Sequence, residues 1–198
     1  TAHRAHASTC TIAKFFSKKY CGKLLEREVV SIQKVVKNGK KPILAIIGGA
    51  KISSKITIIE SLMNSVTDII IGGGMAYTFV RAQGGSIGDS ICEKDFFEYS
   101  IQLLEKAKQR NISIHLPEDV TIADSFNNNA NRKVSKINEI PDGWQGLDIG
   151  PKSIEMLKPI IKNSKTILWN GPLGVFEFDN FSVGTVELGK LIADATSN

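Results

Sequence analysis

The sequence predicts an α/β fold with a mostly parallel sheet, and three observations lead there. Short apolar runs at residues 43–47, 68–71 and 165–169 have the length and composition of strands buried on both faces. Each run ends in glycine, at Gly48-Gly49, Gly72-Gly73-Gly74 and Asn170-Gly171. Segments of helical spacing lie between the runs, as parallel strands require of their crossovers. In such a sheet the three glycine turns fall along one edge, the edge where open α/β sheets bind ligands.

Taken in order, residues 1–8 are polar, with His3, Arg4 and His6 separated by small residues. Arg4 there suits either a planar donor for a phosphate or carboxylate or a solvated terminus. Phe15, Phe16 and Tyr20 follow as core candidates. Residues 23–37 place Leu24, Leu25, Val29, Ile32, Val35 and Val36 near helical spacing, and Asn38-Gly39 ends that helix. A lysine-rich helix between a basic stub and an apolar strand suits a connector between domains. After the strand at 43–47, Ser53 and Ser54 offer N-cap oxygens to a helix over 53–65. Lys51 and Lys55 would share one side if the turn is already helical at Lys51.

The strand at 68–71 leads through three glycines to a helix over 75–83, whose Met75, Tyr77, Phe79 and Val80 can pack inward or line an apolar slot. Residues 95–110 form an amphipathic helix, with Phe96, Ile101, Leu104 and Ala107 among its buried candidates. Short strands are expected at 112–116 and 120–123, with His115 a satisfied structural histidine, since no second His or Cys stands at metal spacing. Asn127-Asn128-Asn129 and Asn131 mark a loop, and residues 141–146 a turn-rich stretch. Pro151 can open a helix running to about residue 163. The last strand delivers the loop Asn170-Gly171-Pro172-Leu173-Gly174-Val175-Phe176-Glu177.

Composition narrows the function classes. With 198 residues and 42% hydrophobic content the chain can bury a sizeable core. It has no run of eighteen apolar residues, and its start is unlike a signal peptide, so a soluble, intracellular protein is expected. Cys10, Cys21 and Cys92 are odd in number and lack C-x-x-C spacing, so reduced, structural thiols are expected rather than a disulfide framework or zinc site. The net charge of +5 is concentrated early: residues 1–41 hold ten Lys or Arg against two Glu. No stacking platform or nucleic-acid module accompanies that basic arm, and no nucleic-acid partner is expected.

Two lysines beside bare glycine turns and free N–H donors suit a phosphate chain. Neither the P-loop G-x-x-x-x-G-K-[ST] nor the dinucleotide G-x-G-x-x-G occurs. With three glycine-ended strands, a nucleotide-like ligand becomes the expectation. Glu177 is then available for ribose hydroxyls, and Asn170 as a neutral ligand for phosphate or metal-bound water.

These residues together resemble the phosphoglycerate kinase family nearly end to end. Residues 1–8 are similar to its basic segment at the glycerate-phosphate site, which implies Arg4 as a substrate ligand. Gly48-Gly49-Ala50-Lys51 with Lys55 resembles its nucleotide-phosphate turn, implying that Lys51 and Lys55 contact the phosphates and the transferring group, with Gly49 and Ala50 in the turn. Gly72-Gly73-Gly74-Met75-Ala76-Tyr77-Thr78-Phe79 is similar to its adenine-pocket segment, with Gly73 and Gly74 against the base. Gly146-Leu147-Asp148-Ile149-Gly150-Pro151 resembles the opposite wall, where Gly146 and Leu147 approach the ring. The loop 170–177 resembles the one that places Asn170, Gly171 and Pro172 near the phosphates, Val175 on adenine and Glu177 on ribose.

The resemblance implies a Rossmann-like three-layer domain over 41–198, incomplete at its C-terminus, preceded by a connector helix over 23–40 and a remnant of an N-terminal substrate domain over 1–22. It implies ATP or ADP as substrate with Mg²⁺ carried by the nucleotide, 3-phosphoglycerate or 1,3-bisphosphoglycerate as second substrate, and a monomeric cytoplasmic enzyme of glycolysis with no membrane partner. The family's late G-G-G-D-[ST] turn, with its Mg²⁺ aspartate, does not occur, so no metal ligand is assigned. Ser54 stands where the family commonly has Asp. The isolated chain is therefore expected to have little turnover; a silent nucleotide-binding module or a purely structural fragment are the alternatives.

Overall fold

A computed structural model describes residues 6–196. The chain divides into two compact units, one ending at Asn38 and one beginning at Gly39. In the first, one π turn at Ala7–Thr11 and a 3-10 turn at Ile12–Phe15 precede helix α1, Lys23–Asn38. None of α1 is buried. The aromatic core candidates Phe15, Phe16 and Tyr20 are exposed, as are Cys10 and Cys21, so those two thiols are surface groups rather than packed ones. Among the described residues this unit has one α-helix and no strand, so they have no second layer there on which to bury.

The second unit is built on strand β1, Ile43–Ile47, all five residues of which are buried. Parallel neighbours flank it: β2, Asp68–Ile71, on one side and β9, Thr166–Asn170, on the other, with β4, Ser113–His115, beyond β2. The order β4-β2-β1-β9 means that the chain winds outward in one direction and then returns to the opposite side of β1. That reversal places a topological switch point between β1 and β9. The connections from β1 to β4 carry α2, Ile56–Leu62, α3, Met75–Ala82, and α4, Phe97–Gln109, and α5, Pro151–Asn163, leads back into β9; the right-handed rule for parallel crossovers puts α5 on the face opposite the other three. On the α5 face Leu44, Ile46 and Ile70 pack with Leu157, Ile161 and Leu188, the last from α6, Val183–Thr196. The three layers are those expected for the fold.

Several boundaries differ from the sequence expectation. Helix α2 starts at Ile56, because Lys51 is extended and Ile52–Ser54 forms a 3-10 turn. Ser53 and Ser54 therefore cap no helix: Ser54 Oγ donates to Lys51 O (2.9 Å), and Ser53 bonds to Glu93. In α4 the inward stripe is Ser100, Leu103 and Ala107, while Ile101 is exposed; the apolar pattern admits two neighbouring faces, and packing selects one. His115 has a partner, its Nε2 lying 2.9 Å from Asp68 Oδ1 across adjacent strands.

A three-stranded antiparallel sheet was largely not expected from the sequence. It joins β5, Asp119–Ala123, to β6, Arg132–Lys136, and to β8, Gln145–Ile149. A short parallel pair links β3, Ser86–Ile87, to β7, Glu139–Ile140. β6 reads Arg-Lys-Val-Ser-Lys and is mostly exposed, and β8 contains Gly146 and Asp148, so neither carries the apolar signature of the parallel strands.

Candidate functional site

The site begins with contact between glycine turns at the C-terminal ends of β1, β2 and β9. Gly48 N donates to Asn170 O (2.9 Å), Gly72 N to Ile47 O (3.0 Å) and Met75 N to Gly49 O (3.1 Å). Gly73 has φ +68°, and a Cβ there would lie 2.7 Å from Gly49 O and 2.8 Å from Gly49 N. No other residue type fits without parting the two turns. The bare floor inferred from three consecutive glycines is thus a consequence of backbone packed on backbone.

The opposite wall comes from β8. A Cβ on Gly146 would stand 1.9 Å from the Tyr77 hydroxyl, so α3 and β8 approach at that point as closely as a side-chain-free residue permits. Gly146 N donates to Ser90 Oγ (2.9 Å), and Val175 N donates to Leu147 O (2.8 Å), fixing the loop after β9 against the wall. The cleft so enclosed has a volume of about 460 Å³, within the ordinary range for small-molecule sites. Its lining is mainly apolar side chains and bare backbone.

Of the sequence-derived candidates, Gly49, Ala50, Gly73, Gly74, Gly146, Leu147, Pro172, Val175 and Glu177 line this cleft. Lys55, Asn170, Gly171 and Lys51 are outside its lining. Lys55 Nζ hydrogen-bonds Asn170 Oδ1, and its Cε would lie 3.8 Å from a Cβ on Gly49, at the cleft's floor. Lys51 is exposed and follows Ala50 directly. The two lysines do not share a helical face, since Lys51 is extended and a 3-10 turn separates it from Lys55. Arg4 lies outside the described residues.

Sequence reasoning did not assign Ile91, Phe126, Gln145, Leu173 or Gly174 to the site, though all line the cleft. Phe126 directly precedes the Asn-rich loop; its ring centroid stands 5.1 Å from that of Phe178, and an aromatic leading into four asparagines was the available signal. Tyr77 was read as core or slot, and it serves as both. Burial, and then the nearby Asp148 carboxylate, push its phenol well above the ordinary range, so it stays neutral. Asp148 is itself raised to about 6 by burial, against the lowering effect of N–H donors from Gly184 (2.8 Å) and Ile149 (2.9 Å).

Among the described residues no group of three or more His, Cys, Asp or Glu is placed to hold a metal ion, and no helix is long and apolar enough to cross a membrane.

Fold and site together define a doubly wound α/β architecture, with a mainly apolar slot at the strand ends and a cationic group beside it. The particular family follows from comparison: the phosphoglycerate kinase family model matches residues 1–198, and the chain belongs to that family. It is 50% identical over its whole length to the phosphoglycerate kinase of Porphyromonas gingivalis, covering 48% of that protein. It is also 50% identical to cytosolic phosphoglycerate kinase 3 of Arabidopsis thaliana, over 98% of this chain and 48% of the relative. The structure of phosphoglycerate kinase from Coxiella burnetii superposes with a TM-score of 0.85 at 40% identity, over 98% of this chain and 50% of that one. The chain thus spans about half the length of the relatives it matches.

Proposed function

We propose that this chain is the nucleotide-handling half of a phosphoglycerate kinase, the glycolytic phosphotransferase converting ATP and 3-phosphoglycerate to ADP and 1,3-bisphosphoglycerate. The observation that carries the reading is an apolar cleft at the strand ends with a cationic group beside its floor. Gly73, Gly74, Gly146, Leu147 and Val175 offer flat apolar surface for an adenine ring, and Lys55 with Asn170 stands beside it. Glu177, exposed at the lip, is the acceptor for ribose hydroxyls.

Phosphoryl transfer requires alignment and neutralisation of the charge spread over the transferring oxygens. Lys51 and Lys55 supply cationic groups, and the bond to Asn170 holds the Lys55 ammonium in place before any ligand arrives. Gly49 and Ala50 present backbone, with Gly171 and Pro172 closing the phosphate end. Mg²⁺ enters with the nucleotide and shields its phosphates. Residues 1–22 are read as the end of a glycerate-binding domain with Arg4 as a phosphate ligand, residues 23–40 as the connector and 41–198 as the nucleotide domain. The complete enzyme is read as a cytoplasmic monomer that binds neither nucleic acid nor membrane.

Calorimetric titration of Mg-ADP into the 198-residue chain tests this. Saturable binding is expected, weakened on the order of tenfold by Lys55→Ala and by Glu177→Ala, the cost of one charge-assisted bond each. A folded chain that binds no ADP would overturn the reading. Turnover by the isolated chain is expected to be negligible in a coupled phosphoglycerate assay.

A further inference from the structure

The turn carrying Lys51 and Lys55 is a single 3-10 turn, closed internally only by Lys55 N to Ile52 O (2.8 Å) and Ser54 Oγ to Lys51 O (2.9 Å), and it is largely exposed. Three contacts anchor it to the rest of the fold. Ile52 is fully buried beneath it, and Lys55 is tied to Asn170 at one end. The third comes from forty residues away: both carboxylate oxygens of Glu93 are spent on Ser53 at the crest of the turn. Oε2 accepts from Ser53 N (3.0 Å) and Oε1 from Ser53 Oγ (2.6 Å).

Glu93 is in turn set by the cleft. Its backbone N–H donates to Thr78 Oγ1 (3.1 Å), and Thr78 is buried on α3, one helical turn after Gly74. Two residues before it, Ile91 lines the slot, with its Cγ2 2.6 Å from where a Cβ on Gly74 would lie. Residues 91–93 therefore touch the apolar slot at one end and the lysine turn at the other.

A carboxylate beside a cationic phosphate site is electrostatically unfavourable for an anionic ligand. Its presence makes sense if it acts as a double acceptor that shapes the turn. We propose that Glu93 is a positioning residue that holds the Lys51–Lys55 turn in its phosphate-ready geometry and couples it to the ring slot through Thr78 and Ile91. The inference rests on the nucleotide reading above.

The test compares Mg-ADP with adenosine by calorimetry on the 198-residue chain and on Glu93→Ala, Glu93→Gln and Ser53→Ala. Glu93→Ala should weaken ADP about tenfold, the size of a lost hydrogen bond to a charged group, and leave adenosine within twofold. Glu93→Gln keeps an acceptor for Ser53 N and removes the charge, so ADP affinity should stay within twofold of the parent. Ser53→Ala, which deletes only the shorter of the two bonds, should fall between. In a Lys55→Ala background Glu93→Ala should cost ADP clearly less than tenfold, since part of its effect runs through that lysine. Equal loss of ADP and adenosine would overturn the role by making Glu93 a general prop of the fold. Tighter ADP binding in both Glu93 variants would overturn it by showing that the carboxylate acts through repulsion alone. A parent chain that binds adenosine and ADP equally would sink the phosphate-turn reading itself, and the role of Glu93 with it.

Discussion

The parallel sheet β4-β2-β1-β9 and the antiparallel sheet β6-β5-β8 each supply one side of the same cleft, and different physics holds each together. The parallel sheet is a layer of apolar strands covered by helices, and its cohesion is burial: β1 has no exposed residue. The antiparallel sheet is polar on one face and leans on two buried carboxylates. Asp119 accepts from Lys152 N (3.1 Å) and Ser153 N (2.7 Å), closing the start of α5, and Asp148 accepts from Gly184 N at the start of α6. Such contacts across more than thirty residues fasten the second sheet to helices packed on the first. The slot thus has one wall set by the hydrophobic effect and another set by satisfied polar groups.

The sharpest break of that comparison is Ile46→Ala, which opens a cavity in the central strand and should cost about 2–5 kcal/mol in urea denaturation. Asp119→Ala leaves the Lys152 and Ser153 N–H donors at the start of α5 without their acceptor and should cost about 2–4 kcal/mol, despite removing no apolar group. Asp148 sharpens the contrast through pH. Its folded value, about 6, lies above its ordinary 3.8, so the stability it contributes is fully present below pH 4 and is lost as pH rises through 6. Relative to Asp148→Asn, the parent should therefore gain up to about 3 kcal/mol between pH 7.5 and 4, measured as the difference in urea midpoints. Gly146→Ala should cost about 1–3 kcal/mol and weaken ADP, with little rescue by Tyr77→Phe, since the added Cβ would lie 2.3 Å from the ring's Cζ as well as 1.9 Å from the hydroxyl. Smallest of all, Lys190→Ala breaks an exposed pair with Glu187 and should shift stability by no more than about 0.5 kcal/mol.

The two sheets also differ in how far they can be read in advance. A parallel strand advertises itself as a continuous apolar run, so 43–47, 68–71 and 165–169 were legible, and so were the glycine turns at their ends. Thr166–Asn170 proves to be an edge strand in which Trp169 and Asn170 are exposed, because β1 alone pairs with it. Gln145–Ile149 passed for a turn because Gly146 and Asp148 interrupt the pattern, yet both residues are required where they are, one to admit Tyr77 and the other to hold α6. Helix α6 was not anticipated: Val183–Thr196 has only a weak apolar stripe, and its start is specified by Asp148, thirty-six residues earlier.

By itself the sequence determined the layers, the parallel strands and the residues at their glycine ends, because burial and backbone freedom are properties that a residue carries with it. Tertiary structure alone decided that a 3-10 turn rather than a helix joins Lys51 to Lys55, that Glu93 grips Ser53, and that Phe126 reaches the slot. Those outcomes depend on partners tens of residues away, and only the folded chain brings their hydrogen-bonding and packing surfaces within reach.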